Sequence, residues 1–272
     1  MRQRTGAVVC PGCGRLVDVN AAVCPFCEQL HPGGFGYGPA VQRWWGRFEL
    51  GRAILVACVA LYALSLLIDP SALLRFRGLF DLFSPSGRAL YLLGMTGGFS
   101  MGEGHYWTVI TAVFLHGSLL HLGFNLAVAN RYLADVVELY GAARTWVIFL
   151  VGGIVGFVLS NLASGAPTVG ASGAIFALLA ALIVYGRRTH QHTVAQQLWM
   201  SAAVMFAFGF FMPNVNNWAH AGGFAGGFVA AEAMSFAGRR ASRGLTVFTW
   251  ALTLAVPLAF VVQVLTALGL LR

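Results

Sequence analysis

Three short stretches carry the side chains that could do chemistry. Gly170-Ala171-Ser172-Gly173 sets a hydroxyl among small residues at the start of an apolar run, and Ala219-His220-Ala221-Gly222-Gly223 sets an imidazole in similar surroundings. His116-Gly117-Ser118-Leu119-Leu120-His121-Leu122-Gly123-Phe124-Asn125 adds two imidazoles and a carboxamide. A serine becomes a nucleophile when a neighbouring base takes its proton, so Ser172 and His220 form the elementary pair for acyl transfer if their helices meet. His121 and Asn125 are four residues apart, which puts them on one helix face, roughly 6 Å apart along the axis. Their N–H donors, with the backbone N–H of Ser172 at a helix N-terminus, suit a tetrahedral oxyanion. His116, five residues before His121, points about 140° away on an ideal helix and is expected to do a different, structural job.

Each stretch also has a plainer reading. Small residues let membrane helices approach closely, and polar ones glue them together. Against that, an ionisable side chain inside a bilayer is costly enough that function is the default hypothesis. A metal site on these helices is disfavoured, because the apolar runs hold no Asp or Glu except Glu232 near one end, and there is no His-Glu-x-x-His. The same absence leaves a Ser-His-Asp triad without a third member, so the expected arrangement is a dyad.

The elements that must position these groups are membrane helices. The chain is 58% hydrophobic with mean hydropathy +0.75 and only 10% charged residues, too apolar for an ordinary soluble domain. Its net charge of +8 comes entirely from arginines on the basic side. They are scattered between apolar runs rather than gathered on a solvated face, which argues against a nucleic-acid partner and reads as a topology signal. The lipid bilayer is the partner this composition demands.

Seven helices are expected. The first covers 53–68. A long connection, 69–106, has apolar patches that suit the membrane interface. The second apolar run is 107–130, the third and fourth share 145–186 around a break at 161–167, the fifth and sixth share 189–231 around a break at 213–217, and the seventh is 245–271. A helix starting at Trp107 would carry His121 roughly 21 Å inward, away from Ser172. The regular second helix is therefore expected to begin near Ser118, with 107–117 in a structured loop; one unbroken helix from Trp107 to Asn130 would remove the oxyanion reading. Arg43, Arg47 and Arg52 precede the first helix, Arg187 and Arg188 follow the fourth, and Arg239, Arg240 and Arg243 follow the sixth. The positive-inside rule then sets the N-terminus in the cytoplasm and the C-terminus outside, as for a multi-pass plasma-membrane protein, with Ser172 and His220 towards the outer face. No apolar run precedes position 50, so a cleavable signal peptide is not expected.

Residues 1–31 are a separate unit. Cys10-Pro11-Gly12-Cys13 and Cys24-Pro25-Phe26-Cys27 are two C-x-x-C turns ten residues apart, enough for one tetrahedral four-thiolate site that folds a segment too short for its own core. Structural zinc is the expected occupant, as in a zinc ribbon. Two disulfides or a rubredoxin-like iron are the alternatives, and a cytoplasmic position argues against disulfides. Such a knuckle would serve docking or regulation through a cytoplasmic protein partner. Residues 32–48 read as a Gly/Pro-rich linker and an interfacial anchor at Arg43-Trp44-Trp45-Gly46-Arg47, and 49–272 as the membrane domain.

Taken together, His-x4-His-x3-Asn, Gly-x-Ser-Gly and Ala-His-x-x-Gly, in that order over roughly residues 50–240, resemble the rhomboid intramembrane serine proteases. The resemblance implies an all-α fold with a six-helix core, here with one helix appended, and cleavage of transmembrane protein substrates near the outer face without a catalytic cofactor. It implies Ser172 as nucleophile, His220 as general base, and His121, Asn125 and the Ser172 amide as oxyanion hole. Gly170 would sit beside the nucleophile, and His116 would make a structural hydrogen bond. Two positions depart from the family pattern. Its Trp-Arg pair in the first outside loop is Trp107-Thr108 here, which removes the arginine that braces the loop. The tyrosine usual beneath the catalytic imidazole is Phe176. The competing readings are a rhomboid-like protein that binds membrane helices without cutting them, and a channel or transporter with a histidine proton relay.

Overall fold

A computed structural model describes residues 3–10, 13–36, 50–74, 78–212, 215–234 and 242–271. The 43–47 anchor, most of the 32–48 linker, Arg75, Phe76, Arg77, Pro213, Asn214, Arg239 and Arg240 lie outside the described residues. Among the described residues seven long helices follow in order: α1 (Leu50–Ile68), α2 (Leu119–Tyr140), α3 (Ala142–Ala163), α4 (Ser172–Arg188), α5 (His192–Phe208), α6 (Asn217–Ala233) and α7 (Arg243–Ala267). By length and composition α1, α3 and α7 could cross a membrane, and a fourth span results if α2 is counted with the bent segment before it. The 17-residue helices α4, α5 and α6 are each about 25 Å long, short for a full crossing.

The centre of the molecule is the trio α3, α4 and α6. α4 is buried at every position from Gly173 to Val184, as expected of a helix apolar on all sides. Glycines let the three backbones approach: a Cβ at residue 223 would lie 2.2 Å from the Gly173 carbonyl oxygen, and one at residue 156 would lie 2.5 Å from that of Ala219. At the far end of the pair, Arg188 of α4 meets Glu232 of α6. Since Ser172 and the start of α6 mark the near end, the two helices run side by side in the same direction. α7 lies outside, with only Ala259 and Gln263 buried.

The second apolar run folds as the depth argument requires. A short helix, Thr108–Thr111, and a turn at Ala112–Phe114 precede α2 and are bent from it by 87°. α2 begins after Ser118, whose side chain caps it by accepting from the His121 N–H at 3.2 Å. Its other end departs from expectation, continuing ten residues beyond Asn130 to Tyr140. The charges there do not stop the helix, because Arg131 and Asp135 pair at i, i+4 (2.7 Å) on an exposed face while Leu133, Val136 and Tyr140 stay buried. Gly141, at φ 80°, ends it. The 69–106 connection contains short helices at Gly87–Leu92 and Gly98–Gly102 and leaves Leu74, Leu79 and Phe80 exposed.

Near the N-terminus, β1 (Ala7–Val9) pairs antiparallel with β2 (Leu16–Asp18), Val8 opposite Val17. Val8, Val17 and Val19 with Cys10 and Cys24 make a very small core of their own.

Candidate active site

Ser172 is the first residue of α4, held by the extended segment before it. The Thr168 N–H donates to the Thr96 carbonyl (2.8 Å) and the Gly170 N–H to that of Ala112 (2.9 Å), which lashes both to the loop ahead of α2. Gly170 is required twice over. Its φ is 132°, and a Cβ there would lie 2.8 Å from Cε1 and Nε2 of His121.

α6 brings the imidazole. Its N-cap residue, Asn216, accepts from the Trp218 N–H (3.1 Å) and donates to the hydroxyls of Ser160 (2.7 Å) and Thr168 (3.0 Å). One carboxamide thus ties the starts of α6 and α4 to the end of α3. One turn on, His220 Nε2 lies 2.8 Å from Ser172 Oγ. The ring is 8% exposed and stacks on Phe176, 4.6 Å between centroids and 25° between planes. Its other nitrogen, Nδ1, lies 3.1 Å from Asn217 Oδ1. An amide oxygen can only accept, so Nδ1 carries the proton and Nε2 offers its lone pair to the serine hydroxyl. Gly209, just past α5, leaves room for this carboxamide, since a Cβ there would fall 2.2 Å from Asn217 Oδ1.

The donor side differs in detail from expectation. The Gly117 N–H donates to His121 Nδ1 at 3.4 Å, which places the proton of the neutral ring on Nε2, one of the two ring atoms against Gly170. Asn125, on the same face, is buried and donates from Nδ2 to the His121 carbonyl at 2.8 Å. One of its two N–H groups is therefore spent on its own helix, leaving one for the pocket. His116 lies in the break of the 87° bend, buried, with its ring edge-on to that of His121 at 5.2 Å.

The N-terminal sulfurs also converge. Cys10, Cys13, Cys24 and Cys27 place their Sγ atoms within 4.8 Å of one another, with Cys10–Cys27 at 3.6 Å and Cys13–Cys24 at 3.8 Å. A tetrahedral ion with bonds of about 2.3 Å to sulfur needs S···S edges of about 3.8 Å, so the four could hold a metal ion. The two turns are built alike. Gly14 donates to the Cys10 carbonyl (2.8 Å) as Glu28 does to that of Cys24 (2.9 Å), and the Cys10 and Cys24 N–H groups donate to Arg15 and Gln29 (both 2.9 Å).

A family model for the rhomboid domain matches residues 103–237. Rhomboid protease GluP of Bacillus subtilis (strain 168) is 34% identical over 137 residues, 49% of this chain and 27% of that relative. Rhomboid-type serine protease 2 of Emericella nidulans is 34% identical over 126 residues, 44% and 25% of the two chains. RHOMBOID-like protein 1 of Arabidopsis thaliana is 29% identical over 201 residues, 65% and 51%. The chain belongs to the rhomboid family. It spans between a quarter and about half the length of these curated relatives.

The rhomboid match, with the apolar helices, makes the chain a multi-pass integral membrane protein of an intramembrane protease family. It also encloses every membrane residue singled out from the sequence: His116, His121, Asn125, Gly170, Ser172, Phe176 and His220. Two residues that touch this cluster escaped sequence reasoning, Asn217 beside His220 and Asn216 beside Ser160 and Thr168. The membrane runs lack a carboxylate beside His220, but an amide oxygen can orient an imidazole too. A signal was present, because Asn217 lies three residues before His220, the spacing of neighbours on one helix face.

Proposed function

We propose that this rhomboid is an intramembrane serine endopeptidase that cleaves transmembrane segments of other proteins near the outer face. The observation that carries the proposal is the 2.8 Å approach of Ser172 Oγ to His220 Nε2, with His220 Nδ1 facing Asn217. In this reading Ser172 Oγ attacks the scissile carbonyl carbon while His220 Nε2 takes its proton. The oxyanion is met by the Ser172 backbone N–H at the start of α4, by His121 Nε2–H and by the free N–H of Asn125. His220 then returns the proton to the leaving amine, and a water, activated by the same nitrogen, hydrolyses the acyl-enzyme.

The substrate must unwind locally, since a helical peptide bond hides its carbonyl. By family resemblance we expect small residues at the cleavage site. The route in lies between α2 and α5, where Phe124 stacks on Phe208 at 6.2 Å, and α5 and the turn after it bear the exposed aromatics Trp199, Phe210 and Phe211. The orientation proposed is N-terminus in the cytoplasm and C-terminus outside. A binding protein of the same fold needs no aligned nucleophile and base, and the test separates the two. Reconstituted wild type should cleave a model transmembrane substrate and label at Ser172 with a fluorophosphonate. Ser172→Ala should lose labelling and at least about 10³-fold in rate. Absence of both activities in the wild type would favour the binding reading.

For the N-terminal segment we propose structural zinc at Cys10, Cys13, Cys24 and Cys27, serving a cytoplasmic protein partner. The purified chain should carry one equivalent of zinc, lost on Cys24→Ser or on strong chelation, with the hairpin becoming protease-sensitive as the metal leaves. A metal-free preparation with an intact hairpin would overturn it.

A further inference from the structure

α7 presents almost all of its surface outward, yet it buries a carboxamide: Gln263 is 2% exposed. A buried amide is costly unless its groups are paired, and here they are. Gln263 Oε1 accepts from the indole N–H of Trp107 at 2.8 Å, and Nε2 donates to the carbonyls of Tyr91 (2.8 Å) and Leu92 (3.3 Å). Those carbonyls belong to the last turn of the short helix Gly87–Leu92, where that of Tyr91 also accepts from the Gly94 N–H at 3.0 Å, so Gln263 brings a second donor to it. A residue more than 150 positions away thus grips the end of one short helix and the residue that starts another, Thr108–Thr111.

The two places it grips bracket the segment that is lashed to the nucleophile. Between them, Thr96 accepts from the Thr168 N–H and Gly98 donates to the Gly165 carbonyl, both at 2.8 Å. The Thr111 hydroxyl closes the segment on the Gly94 carbonyl (2.7 Å), and Ala112 receives the Gly170 N–H at 2.9 Å. Leu90 and Leu93 pack on Leu115, with Val169 and Phe260 of α7 against the same cluster. The path from Gln263 to the backbone of residues 168–170 is therefore continuous in hydrogen bonds and packing.

We propose that Gln263 is a positioning residue: α7 uses it to lock the 90–112 loop, and the loop in turn holds the Thr168–Ser172 backbone where its N–H can receive an oxyanion. Its consequence for catalysis rests on the protease reading above, whereas the lock itself does not.

The test uses the full chain in proteoliposomes and the variants Gln263→Met, close in shape and unable to make any of the three bonds, and Trp107→Phe, which removes one bond from the loop side. Hydrogen exchange is followed at 92–98 and 165–171, alongside Ser172 labelling and the kinetics of a model substrate. Gln263→Met should speed exchange in both segments about tenfold while the interior of α4 stays protected. kcat and the labelling rate should fall together by about tenfold with KM within about twofold, because a transition-state donor is displaced rather than a binding surface. Adding Trp107→Phe to Gln263→Met should cost little more, since the shared bond is already gone. Unchanged exchange in Gln263→Met overturns the lock. If that variant does not fold, unchanged exchange in Trp107→Phe does so. A wild type that neither cleaves nor labels ends the protease reading and leaves the exchange comparison to decide the lock.

Discussion

The inner trio α3, α4 and α6 and the outer helices α5 and α7 are held by different means. In the trio, backbones meet without intervening side chains, as where Gly223 faces the Gly173 carbonyl and Gly156 that of Ala219. α7 buries Ala259 and Gln263, α5 buries Ala195 and Ala202, and polar points of attachment do much of the work for α7. The difference divides labour: contacts that cannot shift fix Ser172 against His220, while contacts that can be remade surround them. It also predicts that substitutions inside the trio act on the existence of the site and those outside on its performance.

The largest effect should come from breaking the trio. A valine at 223 would drive its Cβ into the Gly173 carbonyl, a backbone atom that cannot swing aside. Gly223→Val should destabilise the membrane domain by about 3 kcal/mol and abolish fluorophosphonate labelling, measured by thermal unfolding in detergent and by gel. Wild-type labelling in that variant would mean that the helices can part without disturbing the pair.

A smaller effect belongs to Asn217, which stands at the seam between the two regions, with its carboxamide between His220 and Gly209 at the end of α5. Asn217→Ala should lower kcat about 10- to 100-fold with KM little changed, because the imidazole loses the partner that fixes its tautomer and orientation. Asn217→Asp, which keeps an acceptor at Nδ1, should recover part of that loss. Equal loss in both would assign the residue to packing.

The same division explains what was legible in the chain. Groups whose spacing encodes their meeting could be read directly: His121 with Asn125 on one face, the paired C-x-x-C turns, and a helix that had to begin near Ser118 for His121 to reach the level of Ser172. The extension of α2 to Tyr140 is hidden in the sequence because charges interrupt the apolar run there, whereas in the fold Arg131 and Asp135 satisfy each other on its surface. Gln263 was invisible in principle. Its partners at 91, 92 and 107 are set by tertiary packing, and a lone glutamine near the end of an apolar helix announces nothing. Thr108, standing where the resemblance expects a bracing arginine, looked like a loss. In the fold its hydroxyl donates to the His105 carbonyl (2.7 Å) and lies 3.2 Å from Thr96 Oγ1, which also accepts from Asn161 Nδ2 (2.9 Å). Small hydroxyls and an amide brace the loop by another route.

The smallest effect should come from the second polar attachment of α7, where the indole N–H of Trp146 on α3 donates to Thr253 Oγ1 at 3.0 Å. The threonine hydroxyl also donates to the Thr249 carbonyl of its own helix, so it keeps a partner whichever way α7 shifts. Thr253→Val preserves the shape and removes the acceptor, which should cost about 1 kcal/mol of stability and change labelling by less than about twofold. Gln263 differs in gripping the loop rather than a neighbouring helix. If Thr253→Val slowed labelling as much as Gln263→Met, α7 would be acting by its mere presence against the core, and the distinction between a helix that is attached and one that positions the loop would collapse.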